Sequence, residues 1–171
     1  MFTLPIRVLF VIIALALGVH SAVTGRATWP LYFAGAAILV VSYFRSGTVW
    51  LAVRAIQTGK LDQARRLLDQ IWNPTWLGSQ SRAYYEWMRG GLASEGKQWQ
   101  EARAHLETSL AHRLRTENDR SLVEGYLAAA LFNCGDVADA RERLVTAKGR
   151  NPKPEVQAIL HQVEQEIANS S

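Results

Sequence analysis

Three alanines, Ala64, Ala102 and Ala140, stand at equal spacings of 38 residues. Each lies just inside a helical pattern that opens after a glycine-bearing turn: Gly59-Lys60, Gly96-Lys97 and Gly135-Asp136. Each is followed four residues later by a leucine, Leu68, Leu106 or Leu144, one helical turn on and on the same face. A small and a large residue recurring at a fixed period mark stacked helical hairpins, none of which can bury its apolar face alone. The chain therefore reads as all-α, with an α-solenoid of three hairpins over 46–168.

The units fall at about 46–76, 80–115 and 119–152. In the first, Trp50, Leu51, Val53, Ala55 and Ile56 form one amphipathic helix up to Gly59, and Ala64, Leu67, Leu68 and Ile71 line its partner until Asn73-Pro74. In the second, Tyr84, Trp87, Met88 and Leu92 supply apolar bulk, and Gly90-Gly91 permits close helix contact. Its turn, Gly96-Lys97, stands one residue out of step with the other two. The third opens on Asn118-Asp119 as an N-cap pair and carries Leu122, Val123, Tyr126, Leu127, Ala130 and Leu131. A last helix, 154–168, places Val156, Ile159, Leu160, Val163 and Ile167 on one stripe, as a terminal cap does. Residues 169–171 read as a disordered tail.

These units resemble tetratricopeptide repeats. In that pattern a small residue of the first helix meets the alanine of the second, and Ala52, Gly90 and Ala128 fill that place, each 12 residues before Ala64, Ala102 and Ala140. The third unit matches best, and the second departs most, with Arg89 where a leucine is usual. The early tryptophan of the pattern is absent, with Thr48, Glu86 and Glu124 in its place. The resemblance covers roughly 46–152. It implies a groove, lined by first helices, that binds a peptide or helix of a protein partner. By register the groove places are Ser46, Val49, Val53, Tyr84, Trp87, Gly91, Leu122, Gly125, Ala129 and Phe132, with Asn133 nearby. That lining is apolar and aromatic, which suits an amphipathic helix; the other reading of Tyr84, Trp87 and Phe132 is core.

Ahead of the repeats the composition changes. The first 44 residues hold only two charges, Arg7 and Arg26, whereas the remaining 127 hold 17 Lys and Arg against 15 Asp and Glu. Two apolar runs, about 4–23 and 29–44, approach the ~20 residues a spanning helix needs, with Trp29, Tyr32, Tyr43 and Phe44 as interfacial aromatics. The expectation is a transmembrane hairpin over 1–45. A cleaved signal peptide is the rival, but His20-Ser21-Ala22 lacks the small residues its cleavage site requires. Arg7 before the first run, and Arg45, Arg54, Lys60, Arg65 and Arg66 after the second, put both termini on the cytoplasmic side. A membrane hairpin followed by three repeats is similar to small bacterial membrane-anchored repeat proteins, which implies the bacterial inner membrane.

The chemistry-bearing residues do not assemble into a catalytic pattern. The balanced charge of 45–171 gives no basic patch for nucleic acid. Cys134 is the lone cysteine, so no disulfide or thiolate metal site forms within the chain. Glu101 and His105 have i, i+4 spacing, but two ligands make no metal site. Neither a phosphate loop nor a nucleophile elbow occurs. The reading is a non-enzymatic scaffold without metal or cofactor that recruits a protein partner at the membrane. The alternative is an accessory subunit of a larger membrane complex, with the hairpin as its main contact.

Overall fold

The computed structural model describes residues 4–25 and 27–169; the side chains of residues 4–11, 15, 29, 38–48, 56 and 57 lie outside that description. Eight α-helices follow one another among the described residues: α1 Leu4–Val23, α2 Trp29–Gln57, α3 Leu61–Asp69, α4 Ser79–Glu95, α5 Trp99–Ala111, α6 Glu117–Asn133, α7 Val137–Gly149 and α8 Pro154–Asn169. A single 3-10 turn, Pro74–Trp76, interrupts the link between α3 and α4. The chain divides into two compact units, Met1–Thr48 and Val49–Ser171, a few residues after the expected boundary at 45. Asn169, expected to open a disordered tail at 169–171, closes α8 instead, and Ser170 and Ser171 lie outside the described residues.

In the first unit, α1 and the start of α2 form a hairpin. Its turn contains Gly25 at φ 66°, and Thr24 Oγ1 donates to the His20 carbonyl at 2.8 Å, closing the end of α1. The helices approach at Gly18, where an added Cβ would stand 3.2 Å from the Phe33 ring. Ser21 and Thr28 hydroxyls meet at 2.9 Å, and Ala36 is buried. Gly35 has open space beside it. Ile12, Ile13, Leu17, Val19, Val23 and Leu31 point outward and are exposed. Among the described residues no helix is long and apolar enough to cross a membrane. Much of the two expected spans, 4–23 and 29–44, falls on side chains outside the description.

In the second unit the period of 38 is visible in the backbone. Each hairpin turns through the same hydrogen bond, from the N–H of the third residue past the helix to a carbonyl five residues back. The three are Lys60 to Ala55 at 2.9 Å, Gln98 to Ala93 at 2.9 Å, and Asp136 to Leu131 at 3.0 Å. This is the Schellman closure, which needs a left-handed residue just past the helix. That residue is Gly59 at φ 71°, Lys97 at φ 56° and Gly135 at φ 94°, all in register. The next residue, Lys60, Gln98 or Asp136, has ψ of 64°, 66° or 64°. The second turn is therefore in step with the others. Gly96, read from sequence as its equivalent, sits one place early, and Lys97 holds the strained position.

The hairpins close over the small residues. Ala52, Ala64, Ala102, Ala128 and Ala140 are fully buried, as are Leu68 and Leu106, with Leu144 nearly so. At Gly90 an added Cβ would stand 2.6 Å from Leu106 Cγ and 3.2 Å from the Ala102 carbonyl, so α5 lies on bare backbone of α4. Gly91, grouped with it in the sequence reading, has nothing within 4 Å and makes no such contact. Around Leu68 a first cluster gathers Val49, Ala52, Leu77, Tyr84, Tyr85, Met88 and Leu92. A second runs from Ala93 through α5, α6 and α7 to Ile167 of α8. Trp87 and Leu114 pack against both and join them. Helix α8 falls one period after α6, packs on α6 and α7, and sets fully buried Leu160 against Gly125. It takes the place of a fourth unit's first helix.

Two outcomes follow for stability. Lys97→Gly relieves a left-handed lysine and raises unfolding stability by about 0.5–1 kcal/mol, the net of strain removed and chain entropy added. Gly91→Ala gains about 0.5–1 kcal/mol as an open mid-helix site, whereas Gly90→Ala loses about 1–3 kcal/mol by forcing Leu106 off its seat. Denaturant unfolding of the full chain in detergent measures all three.

Candidate functional site

Between the first two hairpins three aromatic rings stand in series. Trp50 of α2 lies 5.2 Å from Tyr84 of α4, and Tyr84 lies 5.6 Å from Trp87, both pairs tilted as ring quadrupoles favour. Tyr84 is buried, while Trp50 and Trp87 are half-buried on either side of it and pack on the core clusters. The Tyr84 hydroxyl donates to Asp119 Oδ2 at 2.6 Å, so the series is tied to the start of α6. Burial first, then that hydrogen bond and the Asp119 charge, push the Tyr84 phenol well above its ordinary pKa. It stays a neutral donor at any physiological pH.

Asp119 is available for this because it does not cap its helix. The N-cap of α6 is Thr116, whose Oγ1 accepts from the Asp119 N–H at 3.0 Å. The pair Asn118-Asp119, read from sequence as the cap, instead bonds across units: Asn118 Oδ1 accepts from the Lys153 N–H at 2.8 Å. Arg120 reaches the Leu110 carbonyl, and Glu117 pairs with Arg150 at 2.5 Å. The polar link 114–120 is glue between hairpins.

The other residues proposed for a groove separate. Leu122 and Phe132 of α6 are half-buried and pack on the second cluster. Asn133 is exposed, and its Nδ2 donates to the Ala129 carbonyl at 2.8 Å, back along its own helix. Val49 is fully buried and Gly125 is covered by Leu160, so neither lines a surface; register alone does not reveal which neighbour covers a position. Trp50, which sequence reasoning treated only as a core residue of its helix, is the one added member. Its contact with Tyr84 runs between hairpins, and a repeat within one period carries no signal of it.

Two buried carboxylates were missed altogether. Glu86 and Glu124, 38 residues apart, take the place of the family's early tryptophan and are 3% and 2% exposed. Glu124 accepts two bonds from Arg150, at 2.9 and 3.0 Å, a bidentate fork. Glu86 accepts from His105 Nδ1 at 2.6 Å and pairs with Arg82 Nε at 2.5 Å, although that N–H is not aimed along a hydrogen bond. The i−4 arginine recurs at Arg120, 3.9 Å from Glu124. Desolvation would raise the Glu86 carboxyl, but the His105 hydrogen bond and the Arg82 and His105 charges outweigh it and hold it below its ordinary value. Arg89, where tetratricopeptide repeats usually carry leucine, donates from Nε to the Tyr85 hydroxyl at 3.2 Å and reaches Asp69 of α3 at 2.8 Å. Among the described residues no three His, Cys, Asp or Glu side chains are grouped to hold a metal ion.

A carboxyl whose native pKa is depressed stabilises the fold above its unfolded value and loses that contribution as pH falls through the native value. Stability should therefore drop as the pH is taken below about 4.5, the ordinary carboxyl range. Glu86→Gln lowers stability at pH 7 by about 1–3 kcal/mol and flattens the acid limb. Unfolding midpoints against pH for both proteins check this.

Residues 93–163 match the family model described as tetratricopeptide repeat, a stretch running from the last turn of α4 through α5, α6 and α7 into α8. No curated protein and no solved structure matches the chain. The chain is thus an all-α helical repeat protein whose C-terminal hairpins are similar to tetratricopeptide repeats, a type of unit suited to binding proteins.

Proposed function

We propose that this chain is a non-catalytic adaptor anchored at the cytoplasmic face of the bacterial inner membrane, where its repeats hold an apolar segment of a partner protein. One observation carries the reading: half-buried Trp50 and Trp87, braced by Tyr84 and its bond to Asp119, form an aromatic strip on consecutive first helices. Half-buried aromatics on a rigid support are the residues that dominate protein interfaces. Leu122 and Phe132 extend the apolar character along α6. The anchor is supported by the lack of any acidic residue before Asp62 and by the outward apolar side chains of α1.

Those same outward side chains, Ile12, Ile13, Leu17 and Leu31, favour a second reading, in which the chain is an accessory subunit held in a membrane complex through the hairpin. Replacing the hairpin by an unrelated one leaves an adaptor's partner in place and strips a subunit from its complex.

Capture by the tagged full chain in mild detergent tests the groove. Trp87→Ala is expected to weaken recovery of the partner at least tenfold, a loss of about 1.4 kcal/mol or more, with the helical circular-dichroism signal retained. Recovery unchanged in the folded variant rejects this strip as the binding surface.

A further inference from the structure

We infer that the link between α3 and α4 is a membrane-surface contact, in which Trp72 and Trp76 enter the interface of an anionic bilayer beside the exposed cations of the first hairpin. Trp72 is 91% and Trp76 66% exposed, in a protein whose other described tryptophans are at least half-buried. Loose chain does not explain it. Asn73 Oδ1 accepts from the Thr75 N–H at 3.0 Å and from Thr75 Oγ1 at 2.6 Å, capping the 3-10 turn that Pro74 opens. The Trp76 N–H donates to the Asn73 carbonyl at 3.2 Å, and the Leu77 N–H to Pro74 at 3.1 Å. On either side the chain is pulled in: Ile71 packs on the first core cluster and Leu77 is part of it. The turn is built, its flanks pack on the first core cluster, and the two largest apolar side chains are left outside.

Charge selects the occupant. Between residues 54 and 76 stand four cations, Arg54, Lys60, Arg65 and Arg66, all exposed, against Asp62 and Asp69. Asp69 is engaged by Arg89 at 2.8 Å. From residue 77 onward the balance reverses, with twelve cations against thirteen carboxylates. The basic excess of the repeats is confined to the hairpin that carries the exposed tryptophans. Indole favours the headgroup level, where its ring is apolar-solvated and its N–H stays wet, and clustered Lys and Arg favour anionic lipid. Asp119 and Glu117 of the later hairpins are engaged in internal bonds. The inference takes its occupant from the membrane reading above, and the experiment separates the two.

The full chain is reconstituted into vesicles of equal phosphatidylglycerol and phosphatidylcholine, or of phosphatidylcholine alone, with lipids brominated near the headgroup. Tryptophan emission of the wild type minus that of the Trp72→Phe, Trp76→Phe double variant isolates the loop; both positions are exposed, so the variant keeps its fold. The expected result is loss of most of this difference emission on the phosphatidylglycerol vesicles, partly restored by high salt, and little loss on phosphatidylcholine. No quenching on either vesicle, or equal quenching on both, overturns the proposal. An alkaline carbonate wash reports separately on the anchor. A chain that resists the wash without loop quenching keeps the anchor and rejects the loop; a chain stripped by the wash yet quenched before it rejects the anchor and keeps the loop.

Discussion

The contact on which the second unit depends is the packing of each second helix on a small residue of the first, Ala52, Gly90 or Ala128, all three buried. Leu106 over Gly90 shows it at its closest, with no room for a methyl group. Interiors are packed as densely as crystals, so a seat of this kind admits one register. The matched turns enforce the same register from the other side. Three identical Schellman closures deliver Ala64, Ala102 and Ala140 to their first helices at the same height. Packing and turn therefore specify one geometry twice. That redundancy explains how the middle hairpin tolerates a lysine in the left-handed position and an arginine in a leucine's place.

Polar groups then fix what the apolar contacts leave adjustable. Ser109 of α5 donates to the Ala83 carbonyl of α4 at 2.9 Å, and Ser121 of α6 donates to the Ala147 carbonyl of α7 at 2.8 Å. Ser109 and Ala147 are one period apart, as are Ala83 and Ser121. The same bond joins the same two positions in both hairpins, with the hydroxyl exchanged between helices. What the fold requires there is a bridge, whichever side supplies it. The buried glutamates act alike. Where tetratricopeptide repeats place a bulky ring, Glu86 and Glu124 recruit arginines, and the space is filled by charge pairs instead of apolar surface. A pair of that kind adds little net stability over an apolar replacement but penalises any register that leaves the carboxylate alone.

Among the described residues, apolar surface gathers at the aromatic series along α2 and α4, on the outer faces of the N-terminal hairpin and at the Trp72–Trp76 turn, with Leu61 and Val145 exposed singly elsewhere. The series is held by buried Tyr84 and its bond to Asp119, and the turn by Ile71 and Leu77, which pack in the first core cluster. A rigid support lowers the entropy lost when a partner or lipid surface is engaged.

The period of 38, the alanines and leucines and the helix count of the repeats were legible in the chain, because both the 3.6-residue helical repeat and the hairpin repeat are local in sequence. So was the small-residue contact, since a Gly or Ala twelve positions before each alanine is a one-dimensional pattern. What covers each first helix was not. Gly125 and Val49 sit at groove register yet are closed by Leu160 and by the first core cluster, and that depends on where the neighbouring hairpin comes to rest. The place of the left-handed residue in the second turn was likewise decided by the three-dimensional match to Gly59 and Gly135, which a search for glycine misassigns to Gly96. The sequence by itself determined a helical repeat and its spacing, through local periodicity. Tertiary structure alone decided which aromatics face outward, which carboxylates are buried and which cations they hold, because those follow from contacts between residues 19 to 35 positions apart.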